Sequence, residues 1–245
     1  MFGDTVLTVA PVVSSPVQNL WYMSPLVPTL LAMYMLRMPG VYTNYGICGD
    51  REPIGRVVDV MTVDDQPVQI RRAVDAVWMS AEKGETLCEG DQMRTRFRSR
   101  ARIRVAAPSG RPIDIVLGVN ARVRTIGNWG GGQQKSAEPA VLDVVHGVVR
   151  LRGETGNADP SGIQYVRTGP TVCAFHGGEA LANWDPFKRE ANFVVQSGRV
   201  ECSFPDSTYT IHPGSRLEIV RGEPVPVEPV SSLILRTFEG ATEMD

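Results

Sequence analysis

Residues 92–107 read QMRTRFRSRARIRVAA, with arginine at every second position: Arg94, Arg96, Arg98, Arg100, Arg102 and Arg104. A helix would scatter steps of two around its axis. A strand projects them all from one face and sends Thr95, Phe97, Ser99, Ala101, Ile103 and Val105 to the other. The pattern predicts one half-buried strand with Phe97, Ile103 and Val105 in a core and a wholly cationic outer face. Six like charges along a strand repel unless something answers them. Either neighbouring strands supply Asp59, Asp64, Asp65, Asp91 or Asp114 as an internal charge ladder, or the face docks onto an external anionic surface.

The rest of the chain after Gly55 repeats the β signal. Short apolar runs such as RVVDVMTV, IDIVLGV, AVLDVVHGVVRLRG, NFVVQSGRVECSF and RLEIV are separated by Gly, Pro, Ser, Asp and Asn turns, which predicts an all-β sandwich, barrel or coil of short strands. The best helix signal, QIRRAVDAVWMSAEKG, places Val74, Val77 and Trp78 on one face and also admits a strand reading. NWGGGQQKSAEP, residues 128–139, reads as a loop between a basic β lobe (55–127) and a second β lobe (140–220), with a Pro-rich, acidic tail at 221–245. Charge supports this division. Residues 66–135 carry a net +7, so the remainder carries −9 although the chain totals −2. The same loop mimics a phosphate-binding loop only superficially, because Gln134 stands where the glycine before Lys135 is required.

Residues 1–45 form an apolar arm. No acidic or basic side chain lies between Asp4 and Arg37, and the apolar run from Leu20 to Leu36 is 17 residues long, at the lower limit for crossing a bilayer and interrupted by Pro25 and Pro28. It lacks the basic start and the cleavage site of a secretory signal. Leu20, Trp21, Tyr22, Leu26, Leu30, Leu31, Tyr34 and Leu36 are the candidate anchors, for a membrane or for a partner's groove, with aromatic residues near both ends of the run; the alternative is that the run packs on its own domain. Asp4 before the run and Arg37, Arg51 and Arg56 after it predict that a spanning segment leaves the folded domain on the cytoplasmic face of a bacterial inner membrane.

The chemistry-bearing residues are sparse. Cys48, Cys88, Cys173 and Cys202 are far apart and form no CxxC pair, so buried free thiols are expected. Cys173 and His176 have C-x-x-H spacing, but no second half of a metal site accompanies them. His146, His176 and His212 are expected as strand or turn residues, and no catalytic, cofactor or metal site is predicted.

The order of motifs resembles the FecR-like domain of bacterial envelope regulators. GETLCEGDQMRT is similar to that family's turn, with Leu87, Gly90, Asp91 and Thr95 in its positions; SRARIRV, IDIVLGVNARVRTI and VVHGVVRL resemble its succession of strands, and FVVQSGRVECSFPDSTYTIHPGSRLEI its later part with turns at Gly198 and Pro213-Gly214. The likeness spans roughly residues 55–220. It implies an all-β scaffold for binding and signalling rather than catalysis, usually periplasmic. Regulators of that family carry a sigma-factor-binding segment before one membrane helix. Fewer than 20 residues precede Leu20 here, so an assembly role is expected instead of sigma-factor control.

Three functions follow. The first is a non-catalytic subunit attached to a membrane-embedded protein complex through its arm and its arginine face, with anionic lipid headgroups as a further contact. The second is nucleic-acid binding by Arg94–Arg104, disfavoured by the lack of overall basicity and of interleaved aromatics. The third, a metal-dependent β-barrel enzyme, has no supporting motif.

Overall fold

A computed structural model of the chain describes residues 48–51, 53–63, 65–105, 112–126, 140–154 and 163–244. The arm, its anchors from Leu20 to Leu36, and the 128–139 loop lie outside the described residues. No described helix is long and apolar enough to cross a membrane.

The described chain is mostly β. In order the strands are β1 (Pro53–Met61), β2 (Gln69–Arg71), β3 (Met79–Ser80), β4 (Thr86–Cys88), β5 (Gln92–Arg94), β6 (Arg100–Val105), β7 (Ile113–Leu117), β8 (Arg122–Thr125), β9 (Ala140–Gly153), β10 (Gln164–Thr168), β11 (Thr171–Asp185), β12 (Glu190–Phe204), β13 (Ser207–Ile211), β14 (Ser215–Val220), β15 (Glu223–Pro224) and β16 (Glu228–Pro229), followed by helix α1 (Ser232–Thr242). They form one mixed sheet along the path β15-β14-β12-β11-β10-β9-β7-β6-β1-β4, with β8, β5, β2 and β3 branching from β9.

Three long strands make this arrangement by changing partners midway. β9 pairs β8 and β10 through its first half, then β7 and β11 through its second. The switch falls at Gly147, whose φ is +85° and where a Cβ would lie 2.8 Å from the Ala121 Cα, so a side chain is excluded on two counts. β11 likewise passes from β10 to β9 at Gly177 and Gly178, opposite Gly198 of β12, where a Cβ would overlap the Gly177 carbonyl. Bent strands wrap the sheet around one hydrophobic core, which draws on residues from Ile54 to Ile219.

Alternation sorts the faces. Val57, Ile103, Ile115, Leu151, Ala180 and Val195 lie opposite one another across six strands, all buried. One residue away, Arg56, Arg104, Asp114, Arg152 and Glu179 form the matching row on the other face.

Two expectations are corrected. First, the arginine stretch is not one strand. β5 ends at Arg94, β6 starts at Arg100, and the chain turns between them. Thr95 and Ser99 are responsible. Buried hydroxyls need partners. Thr95 Oγ1 donates to the Gly118 carbonyl at 2.6 Å and accepts from the Ala121 amide at 2.8 Å, while Ser99 Oγ accepts from the Arg96 amide at 2.6 Å. Phe97, expected in the core, is left 64% exposed; Ala101, Ile103 and Val105 are buried as expected. Second, the cysteines are disulfides. Cys48 joins Cys88 with Cα atoms 5.5 Å apart, and Cys173 joins Cys202 at 4.1 Å. Separations of 40 and 29 residues hid this, because only strand register reveals that Cys173 and Cys202 are direct partners across β11 and β12.

The helix signal at 69–84 resolves into β2, a turn and β3. The C-terminal tail holds β15, β16 and α1, which Ser231 caps by accepting from the Ile234 amide.

Candidate partner-binding surface

The six arginines divide between two places. On β6, Arg104 makes a two-pronged pair with Asp114 at 2.7 and 2.9 Å, and Arg102 lies 3.6 Å from Asp59. Arg100 donates to the carbonyls of Gly240 and Ala241 at 2.9 and 3.2 Å, capping the negative end of α1. Internal groups therefore answer these three. Arg104 holds the Asp114 carboxyl below its ordinary value, chiefly by hydrogen bonding.

Arg94 belongs to a different face. Antiparallel register brings Gln69, Arg94, Arg122 and His146 into one row across β2, β5, β8 and β9, and Arg71, Gln92, Arg124 and Asp143 into the next, which the parallel pairing of β9 with β10 extends to Arg167. Their strand neighbours Ile70, Met93, Val123 and Val144 point into the core. The result is a polar face carrying five guanidinium groups and one carboxylate.

Trp78 anchors its centre. The guanidinium carbons of Arg94, Arg71 and Arg122 lie 4.2, 5.1 and 5.3 Å from the ring centroid, within cation–π range. Neutral amides orient two of these arginines: Gln69 Oε1 accepts from Arg94 Nε at 2.8 Å, and Gln92 Oε1 accepts from Arg122 Nη2 at 2.5 Å. An amide fixes geometry without cancelling charge. Among the described residues, none of Arg71, Arg94, Arg122 and Arg124 makes an ion pair. Burial, with repulsion from neighbouring arginines, pushes Arg94 and Arg122 below the ordinary guanidinium value. They remain charged at any physiological pH. Burial also raises the Asp143 carboxyl, despite Arg124 and Arg167 nearby.

Two open grooves border the face. One of about 460 Å³ is lined by Arg94, Arg96, Arg122, His146, Pro186 and Phe187 among others. The second, about 510 Å³, includes Arg71, Arg72, Gln92 and Arg124. Arg96 thus joins Arg94 at this surface, while Arg98 sits exposed in the intervening turn.

Next to the face, where Arg72 borders the second groove, lies a buried charge cluster. Asp91 is fully buried and accepts from Arg51 Nη1 at 2.5 Å, Arg72 Nη1 at 2.6 Å and the amides of Cys88 and Ala73 at 2.9 and 3.2 Å. It ties down the chain immediately after Arg71. The Gly90-Asp91 and Thr95 positions of the motif are thus occupied by structural hydrogen-bonding groups.

Sequence reasoning missed Arg71, Arg122, Arg124 and Trp78. The alternation in ARVRTI was a signal for the second and third; nothing local announced that Trp78 would sit over them. His146 and His176 are strand residues and His212 lies in a turn. Cys173 is committed to its disulfide, and the described residues contain no cluster of three or more metal-ligating side chains.

No family model matches the chain, and no curated protein matches it. Two crystal structures, each described as a "putative anti-sigma factor" from Parabacteroides distasonis, resemble the fold at 14% identity, with TM-scores of 0.43 and 0.44. The likeness covers 60% of this chain and 63% of theirs.

Proposed function

We propose that the chain is a non-catalytic, partner-binding β module that docks an acidic protein segment on the Arg–Trp78 face and is attached to a membrane assembly by its apolar arm. One observation carries the reading: Arg71, Arg94 and Arg122 converge on Trp78 without a carboxylate partner among the described residues, and Arg94 and Arg122 are held by amides instead. Holding like charges together is unfavourable in isolation and is offset when an anionic partner arrives. The arginines of β6 contribute less to docking, since Asp59, Asp114 and the end of α1 already occupy them. The two disulfides support an oxidising compartment, and so the periplasmic side of the membrane rather than the cytoplasmic face expected from the flanking charges.

The test is a quadruple change, Arg71→Gln, Arg94→Gln, Arg122→Gln and Arg124→Gln, in the full chain. Capture of subunits from detergent-solubilised membranes should fall about tenfold or more, wild-type capture should weaken with salt as charges are screened over roughly 8 to 10 Å, and the melting temperature should hold or rise. Unchanged capture would refute the reading.

A second reading, single-stranded nucleic acid, is favoured by one feature alone. Trp78 among guanidinium groups is the stacking platform such ligands use. Gel-shift assays with a homopolymeric oligonucleotide, set against polyglutamate as competitor, separate the two.

A further inference from the structure

Two loops border the groove lined by Arg94 and Arg122. One is the turn between β5 and β6, where Phe97 is 64% exposed beside Arg96. The other is the hairpin joining β11 to β12, where Phe187 is 91% exposed and Pro186, Lys188 and Arg189 are exposed with it. Arg96 and Phe187 line the same groove. The hairpin is a fixed turn: Asp185 Oδ1 accepts from the amides of Phe187 and Lys188 at 3.0 and 3.2 Å, and the Arg189 carbonyl accepts from the Arg221 amide at 2.8 Å. Phe187 stands edge-on to His146 with ring centroids 6.4 Å apart, a contact that leaves most of the ring in solvent.

We propose that these tips form a lipid-contacting surface, with Phe97 and Phe187 entering the boundary between headgroups and acyl chains of an anionic bilayer. Arg96, Lys188 and Arg189 would remain among the phosphates. A protein pocket takes up a clustered apolar patch, whereas here two aromatic rings project from separate loops, each next to cations. A bilayer interface accepts that composition, because rings immerse singly and long cationic side chains keep their heads at the headgroup level. Charge complementarity selects anionic lipid. The four residues of the hairpin turn, 186–189, include no carboxylate; Asp185 and Glu190 pair at its base, where Asp185 is used as the staple. The inference does not rest on the acidic-partner reading, because Phe97, Phe187, Lys188 and Arg189 are outside the set tested there.

The experiment uses the full chain and vesicles of phosphatidylcholine with and without phosphatidylglycerol. With a tryptophan introduced by Phe187→Trp, the emission added over the parent protein should shift to the blue and be quenched by brominated lipid in the anionic vesicles. Phe97→Ser combined with Phe187→Ser should lower partitioning into anionic vesicles about tenfold. Failure to bind anionic vesicles overturns the proposal, as does binding through the arm alone, seen as unquenched emission from the introduced tryptophan. Loss of polyglutamate capture with unchanged vesicle binding in the double serine variant would assign the tips to protein instead, and also overturns it.

Discussion

Asp91 answers four donors with one buried carboxylate, and two of them are the guanidinium groups of Arg51 and Arg72. Removing its charge would leave Arg51, largely enclosed, without its carboxylate partner and Arg72 with Glu85 alone. Asp91→Asn should therefore cost about 3 kcal/mol or more in chemical denaturation, with a midpoint shift and unchanged slope. Asp114 and Asp143 should respond to pH in opposite senses. The Asp114 carboxyl is depressed by Arg104, so its contribution is full above the ordinary carboxylate value near pH 4 and is lost as pH falls through the depressed value. The pair is half exposed, which limits it to under about 1 kcal/mol. Asp143 is raised by burial, so folding is penalised increasingly as pH rises through its folded value. Melting curves between pH 2 and pH 8 (roughly the span over which carboxylates titrate) should show Asp114→Asn flattening the acid limb. Asp143→Asn should raise stability at neutral pH and change nothing at the acid extreme.

Elements carry the next level of information. The arginine alternation was legible as β, and Arg100–Val105 is the strand it predicts, with Ala101, Ile103 and Val105 buried. Its N-terminal half failed because Thr95 and Ser99 stand on the inward face, where hydroxyls bond backbone groups and bend the chain. That signal was present in the composition of the stretch. The disulfides were not legible, since they depend on which strands are neighbours. Each closes a loop of tens of residues, so replacing either pair by alanine should destabilise the fold by about 3 to 4 kcal/mol on the chain-entropy account. Intact mass after alkylation should show no alkylated cysteine without reductant and four after reduction. Free thiols at Cys173 and Cys202 in the purified, folded protein would contradict the pairing.

At the scale of the molecule, one core extends across strands on both sides of the 128–139 loop, and the partner changes at Gly147, Gly178 and Gly198 make this continuity. Arm and β fold should separate experimentally. A chain beginning at Tyr45 retains Cys48 and every described element, so it should remain folded with both disulfides formed. It should also be lost from membranes if residues 5–36 are the attachment. Unchanged co-fractionation would show that the arm is dispensable, and would leave the loop tips or the arginine face to hold the protein there.

The sequence by itself determined what depends on neighbours a few residues apart. Period-two alternation pointed to the β class and to the buried side of Arg100–Val105, glycine and proline marked turns, and the charge census located a cationic region between residues 66 and 135. Tertiary structure alone decided which cations would be neutralised. Arg102 and Arg104 met Asp59 and Asp114 because β6 lies between β1 and β7, whereas Arg94 met Arg71, Arg122 and Trp78 because β5 pairs β2 and β8. Coulomb energy and hydrogen bonding depend on distance in space. Residues 25 to 44 positions apart along the chain became contacts within a few ångströms only once the register was set.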